Sequence, residues 1–295
     1  MLRRETWDLL PATTDVRVDV AYAPEFDPTC KMDVYSPQGG NGAAVLFINS
    51  GGFRSGIFSQ CAVAEGSRPR FLLPHEISVQ GVAAPVPILE QFSFAPLLAS
   101  GVSVFDVRHP SESAASLEKM IRSVHLADSF IREHAEEFGI DPNRVGLWGC
   151  SSGGYLALLE ALTDRDTSDP RTVVAYYPGG YDFAAEAAQF PEVAEGLPLE
   201  NGERTLTEMS LRNHIEGSHV SALVIYGEDD HPTITTTCES LAREARAGRF
   251  SGKIKALPAV SHQFMTPEGY SEESGRYALS ELIAWFEEHL AVSRE

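Results

Sequence analysis

Positive charge is scarce in this 295-residue sequence: 23 Lys and Arg stand against 42 Asp and Glu, a formal net charge of −19. That balance excludes nucleic acid and anionic membrane surfaces as partners, because both attract basic surfaces. A solubilising acidic exterior accounts for it. Cysteine is scarce as well. Cys30, Cys61, Cys150 and Cys238 are widely scattered, with no C-x-x-C and no His/Cys spacing of a metal site. A disulfide framework and a zinc motif are thereby excluded, and reduced thiols in a cytoplasmic protein are the expectation. No stretch approaches the roughly 20 apolar residues of a membrane span. The opening MLRRETWDLLPATTDV carries two arginines but not the apolar run of a signal peptide. Repeats, low-complexity tracts and linkers are also missing, so the sequence is taken as one domain, 1–295.

What is present is ordinary for a globular core: 43% hydrophobic and 22% charged residues. Period-two alternation predicts half-buried strands over 16–23 and 30–35. Apolar runs of strand length occupy 43–49, 102–107, 145–148, 172–177, 220–226 and 254–257. Helical spacing covers 92–100, 116–138, the stretch after Ser151, 235–247 and 272–290. Strands alternating with helices predict an α/β class with a mostly parallel central sheet. Residues 54–91 are rich in Pro, Gly and Ser with apolar patches at 71–73 and 82–89, the composition of a lid over a site. Residues 181–219 mix short helical and loop signals, a second segment to cover a pocket.

The densest chemistry lies in RVGLWGCSSGGYLA, residues 144–157. A buried strand, a turn and a helix follow one another, and the turn holds Gly149-Cys150-Ser151-Ser152-Gly153. A G-x-S-x-G turn raises its serine to a tight strand-to-helix apex. Side chains two residues before and after that apex would collide as strand and helix cross, so glycine is required at both. The helix start also aims its free N–H groups at a developing oxyanion. Ser151 is therefore the candidate nucleophile. Ser152 is out of frame and contributes only a backbone N–H.

A serine nucleophile needs a histidine base, and the base needs a carboxylate. Among nine histidines, His262 follows a late strand in a loop of small neighbours. His125 and His134 fall in helical patterns, His289 near a helix end, and His75 within the 54–91 stretch. His231 adjoins an acidic cluster but precedes the last strand. Glu228, Asp229 and Asp230 compete for the carboxylate, and their residue types alone do not separate them. The strand at 43–49 runs into Ser50-Gly51-Gly52-Phe53, where paired glycines let backbone N–H groups approach a ligand; a plain turn explains them equally well. Every one of these motifs lies at the carboxyl end of a predicted strand, where ligands bind in open parallel sheets.

Together these residues resemble the α/β-hydrolase superfamily, in its esterase/lipase (carboxylesterase) branch with an HGGG-type oxyanion loop. Asn49-Ser50-Gly51-Gly52-Phe53 matches H-G-G-G-[WF] at its two later glycines. Asp106-Val107-Arg108 stands for D-Y-R, Gly227-Glu228-Asp229-Asp230 for the acid loop, and His262-Gln263-Phe264 for H-x-F. The resemblance implies an α/β-hydrolase fold with helices on both faces of the sheet. It orders the triad as serine, acid, histidine and its spacing selects Asp230. It also implies oxyanion donors at Gly51, Gly52 and Ser152. The expected function is cleavage of an ester of a small to medium organic molecule through an acyl-enzyme, without cofactor or metal. The expected partner is that small-molecule substrate, and a homo-oligomer is compatible with it. Lyase or cyclase chemistry at the same site, or ligand binding without turnover, are the alternatives on this scaffold.

Overall fold

In the computed structural model, residues 13–56, 78–79, 82–83, 91–111, 115–163, 171–195 and 197–291 are described. Eight strands form one sheet: β1 (Thr14–Ala21), β2 (Lys31–Pro37), β3 (Ala44–Ile48), β4 (Ser103–Arg108), β5 (Val145–Cys150), β6 (Arg171–Tyr176), β7 (Val220–Gly227) and β8 (Gly252–Leu257). Their spatial order is β1-β2-β4-β3-β5-β6-β7-β8. β2 pairs antiparallel with both β1 and β4, and every other pairing is parallel. β3, β5 and β6 are buried along their whole length, which is why they are apolar apart from Arg171 and Thr172 at the start of β6. The edge strand β1 instead alternates between half-buried and exposed residues, with a bulge between Arg17 and Val20.

The helices are α1 (Ala95–Ala99), α2 (Leu117–Glu133), α3 (Ala135–Phe138), α4 (Ser152–Thr163), α5 (Phe183–Gln189), α6 (Glu203–Glu208), α7 (Pro232–Arg246) and α8 (Glu272–His289). They lie on both faces of the sheet, as β5 shows. A Cβ on Gly146 would meet the Phe286 ring of α8, whereas one on Gly149 would meet the first turn of α4. Residues three apart on a strand point to opposite faces. α4 is buried on all sides from Ser152 to Leu162, so it carries no polar face.

Three helix expectations are corrected. The 116–138 helix divides at His134 (φ −104°, ψ 20°), whose ring donates to the Phe130 carbonyl at 2.8 Å. The 92–100 helix shrinks to five residues, with Pro96 confined to its first turn because it lacks an N–H. The 235–247 helix begins earlier, at Pro232, whose fixed φ suits a first helical position. Of the 54–91 stretch, Ser78–Val79 pairs with Val82–Ala83 and Gln91 is fully buried. Residues 57–77, 80–81 and 84–90, with most of the expected lid, lie outside the described residues. Among the described residues, no helix is long and apolar enough to cross a membrane.

Candidate active site

The turn after β5 is as tight as its glycines demand. A Cβ on Gly149 would fall 2.2 Å from the Gly153 carbonyl oxygen, and one on Gly153 would fall 2.4 Å from that of Ile48. Ser151 sits at φ +54°, a left-handed conformation rare for a residue with a Cβ, and its N–H donates to the Tyr176 carbonyl at 2.9 Å. Its hydroxyl is thereby lifted above the carboxyl ends of β5 and β6.

The acid loop is zipped to the segment before His262. Glu228 N–H donates to the Leu257 carbonyl (2.9 Å) and Asp229 N–H to the Val260 carbonyl (3.1 Å). Gly227 permits this approach, since a Cβ there would stand 2.1 Å from the Val260 oxygen. The zipper leaves Glu228 and Asp229 exposed and turns Asp230 inward, its side chain fully buried. Asp230 Oδ1 accepts the His231 N–H at 2.7 Å. The two Asp230 oxygens lie 3.0 and 3.1 Å from His262 Nδ1, and His262 Nε2 lies 3.1 Å from Ser151 Oγ. Three residues from three strand ends thus form one hydrogen-bonded line.

The His262 loop is held by Phe264, Tyr177 and Gln91. Phe264 is buried edge-on against Tyr176 and Tyr177, and the Tyr177 ring meets the His262 ring at 4.6 Å. The Tyr177 hydroxyl donates to Gln91 Oε1 (3.2 Å), and Gln91 Nε2 donates to the Gln263 carbonyl (3.4 Å). Only Phe264 had a motif to mark it; Tyr177 and Gln91 carry no sequence signal.

The glycine segment after β3 is a short hairpin, Ser50–Gly51 against Arg54–Ser55. Its two central residues, Gly52 (φ +56°) and Phe53 (φ +59°), are both left-handed, as a two-residue hairpin turn requires. Gly52 and Ser152 line the cavity beside Ser151, whereas Gly51 stands one position back in the ladder opposite Arg54. The Ser152 hydroxyl accepts the Phe53 N–H at 2.9 Å and lies 3.0 Å from the Ser50 hydroxyl. At the hairpin base, Asn49 Nδ2 donates to Asp106 Oδ1 at 2.9 Å. Burial, reinforced by nearby Asp33, pushes the Asp106 carboxyl up to about 7.

The cavity in front of Ser151 holds about 220 Å³. Phe53, Tyr155 and Phe183 make an aromatic wall, with Phe53 and Phe183 stacked at 6.0 Å. Glu192, Glu195 and Leu197 line it from the 181–219 segment, as does Glu186. Glu186 is buried and accepts from Gly180 N–H (2.8 Å) and Thr237 Oγ1 (2.9 Å); burial raises its carboxyl. Four of the other histidines that the sequence offered have partners elsewhere. His231 caps α7, His125 pairs with Glu160, and His134 and His289 bond helix carbonyls. His75 lies outside the described residues. Among the described residues, no group of three His, Cys, Asp or Glu could hold a metal ion.

The family model described as BD-FAE matches residues 88–244. Comparison with curated proteins yields no match. Solved structures of similar fold include a truncated carbohydrate esterase from gut microbiota, 17% identical, covering 95% of this chain and 99% of that one at TM-score 0.67. Carboxyl esterase 2 from the mycorrhizal fungus Tuber melanosporum is 20% identical, covering 95% and 88% at TM-score 0.66. A thermophilic esterase from the planctomycete Thermogutta terrifontis is 16% identical, covering 96% of each chain at TM-score 0.65. The mostly parallel sheet flanked by helices is the α/β-hydrolase fold that these structures share.

Proposed function

The chain belongs to the BD-FAE family, and on that premise we propose that it is a carboxylesterase-like serine hydrolase cleaving an ester of a small to medium organic molecule. The observation that carries this reading is the line from Asp230 through His262 to Ser151. The similar structures are themselves named esterases, which supports it.

In this mechanism Ser151 Oγ attacks the ester carbonyl while His262 Nε2 takes its proton. Asp230 keeps the other ring proton on Nδ1 and stabilises the imidazolium. The carbonyl oxygen, now negative, meets the N–H groups of Gly52 and Ser152, with Gly51 behind Gly52 in the hairpin. Preorganised donors of this kind lower the barrier by several kcal/mol, since each is worth ~3 kcal/mol when removed from a hydrolase. His262 then protonates the leaving alkoxide, and the acyl group remains on Ser151. Water, deprotonated by His262, releases the acid and restores the serine. The 181–219 segment covers the pocket and helps to choose the substrate. The scattered cysteines support a cytoplasmic location.

Turnover of p-nitrophenyl acetate and labelling by a fluorophosphonate test the proposal. The expected adduct maps to Ser151, and Ser151→Ala abolishes both labelling and roughly 10⁴-fold of the rate. An adduct on Ser152, or none, refutes it.

A further inference from the structure

Sequence alone assigns Ser152 a backbone role. Its hydroxyl, however, is 8% exposed with its residue and sits between two parts of the oxyanion hairpin. It accepts the Phe53 N–H at 2.9 Å and shares a hydrogen bond with Ser50 Oγ at 3.0 Å, reaching back across 102 residues of chain. Ser50 stands where the resembling esterases carry the first glycine of their motif. The two hydroxyls therefore join the elbow helix to the loop that faces it.

The loop needs such a tie. Phe53 is bulky and held at φ +59°, directly after Gly52 at φ +56°. Glycine adopts that conformation freely; a bulky residue does so only when its surroundings over-determine it. Here the surroundings are the Ser152 hydroxyl on its N–H and the stacked Phe183 ring on its side chain. Phe53 N–H is occupied by this bond and is not a donor to substrate. The bond fixes the Gly52–Phe53 peptide and with it the Gly52 backbone dihedrals, which set the preceding Gly51–Gly52 peptide, the one that carries the Gly52 N–H.

Resting on the serine-hydrolase reading above, we infer that Ser152 Oγ, supported by Ser50 Oγ, is a positioning group for the oxyanion hole, clasping the Phe53 turn so that the Gly52 and Ser152 N–H groups converge on one point. A misplaced donor weakens the transition state more than the ground state, because charge on the oxygen develops only there. Among the described residues the Ser50 hydroxyl reaches the turn through Ser152, and the backbone pairing of Ser50 with Ser55 is unaffected by removing that hydroxyl.

The test uses Ser152→Ala, Ser50→Ala and the double variant, assayed with a p-nitrophenyl ester and with a trifluoromethyl ketone that forms a tetrahedral adduct. For Ser152→Ala, kcat is expected to fall roughly tenfold, the scale of one lost hydrogen bond, with KM changed less than about threefold. The inhibition constant of the ketone should rise by the same factor as kcat/KM falls. Ser50→Ala should lose less, and the double variant should match Ser152→Ala, because the two act in series. If Ser152→Ala does not fold, Ser152→Cys keeps the shape with a weak sulfur acceptor and should show the same split. Retention of kcat within about twofold, a loss confined to KM, or a double variant as poor as the product of the singles overturns the inference. Failure of the parent reading is distinguishable: the unaltered protein would then neither turn over the ester nor be labelled at Ser151.

Discussion

Asp230 is buried while its two acidic neighbours are exposed, and that difference in surroundings gives each of the three carboxylates a distinct expected effect. In Asp230→Asn the amide no longer enforces the Nδ1–H tautomer of His262, so turnover should drop by roughly 10⁴-fold, as in the equivalent change in a serine protease. Glu228→Gln and Asp229→Asn remove only exposed negative charge, screened by solvent and salt, and should change turnover less than about tenfold. Measuring kcat for the three variants side by side decides the frame. A crippled Asp229→Asn beside a near-normal Asp230→Asn would show that the loop turns differently around His262.

Between β3 and β4, the Asn49–Asp106 bond ties the base of the Ser50–Ser55 hairpin to the neighbouring strand. Burial and Asp33 lift the Asp106 carboxyl from 3.8 to about 7, so the folded state holds a proton that the unfolded chain releases. Stability from this group is present at low pH and is lost as pH rises from about 4 through about 7. His109, at the end of the same strand, acts in the opposite sense. Burial lowers it from 6.5 to about 4, so it destabilises the fold as pH falls through that window. Asp106→Asn removes the first effect and leaves the second. The melting temperature of the variant, relative to the unaltered protein, should therefore climb between pH 5 and pH 8. A difference that stays constant across that range would mean that Asp106 is ionised throughout.

Over the whole molecule, a net charge of −19 surrounds a cavity whose lining includes Glu186, Glu192 and Glu195. Such a field repels anions approaching the cavity and is screened over about 8 Å at physiological salt. A neutral ester, p-nitrophenyl hexanoate, should exceed its anionic analogue, the p-nitrophenyl monoester of adipic acid, by more than roughly tenfold in kcat/KM at low salt. The gap should narrow as sodium chloride is raised toward about 1 M. Equal turnover at low salt, or a gap indifferent to salt, would remove electrostatics as a determinant of substrate choice.

The order of strands and helices and the elbow around Ser151 were legible in the chain itself. Burial on two faces makes β3 and β5 continuous apolar runs, and crossing of strand and helix demands glycine at 149. Both are written along the chain, the runs as consecutive apolar residues and the glycine through Gly153 four residues on, whereas Gly153 itself is demanded by the Ile48 carbonyl of β3. The break at His134 escaped the pattern because apolar spacing continues across it. The residue types of Glu228, Asp229 and Asp230 left the acid undecided, and only a family spacing chose among them. In the fold, the approach of Gly227 to the Val260 carbonyl turns the third inward. The Ser152 hydroxyl and the Tyr177–Gln91 brace had no sequence signal, since their partners lie 102 and 86 residues away. Periodicity and turn sterics act along the chain and so determined the framework. Hydrogen bonds between distant loops exist only once the sheet has brought their ends together, and so the tertiary structure alone decided how the site is braced.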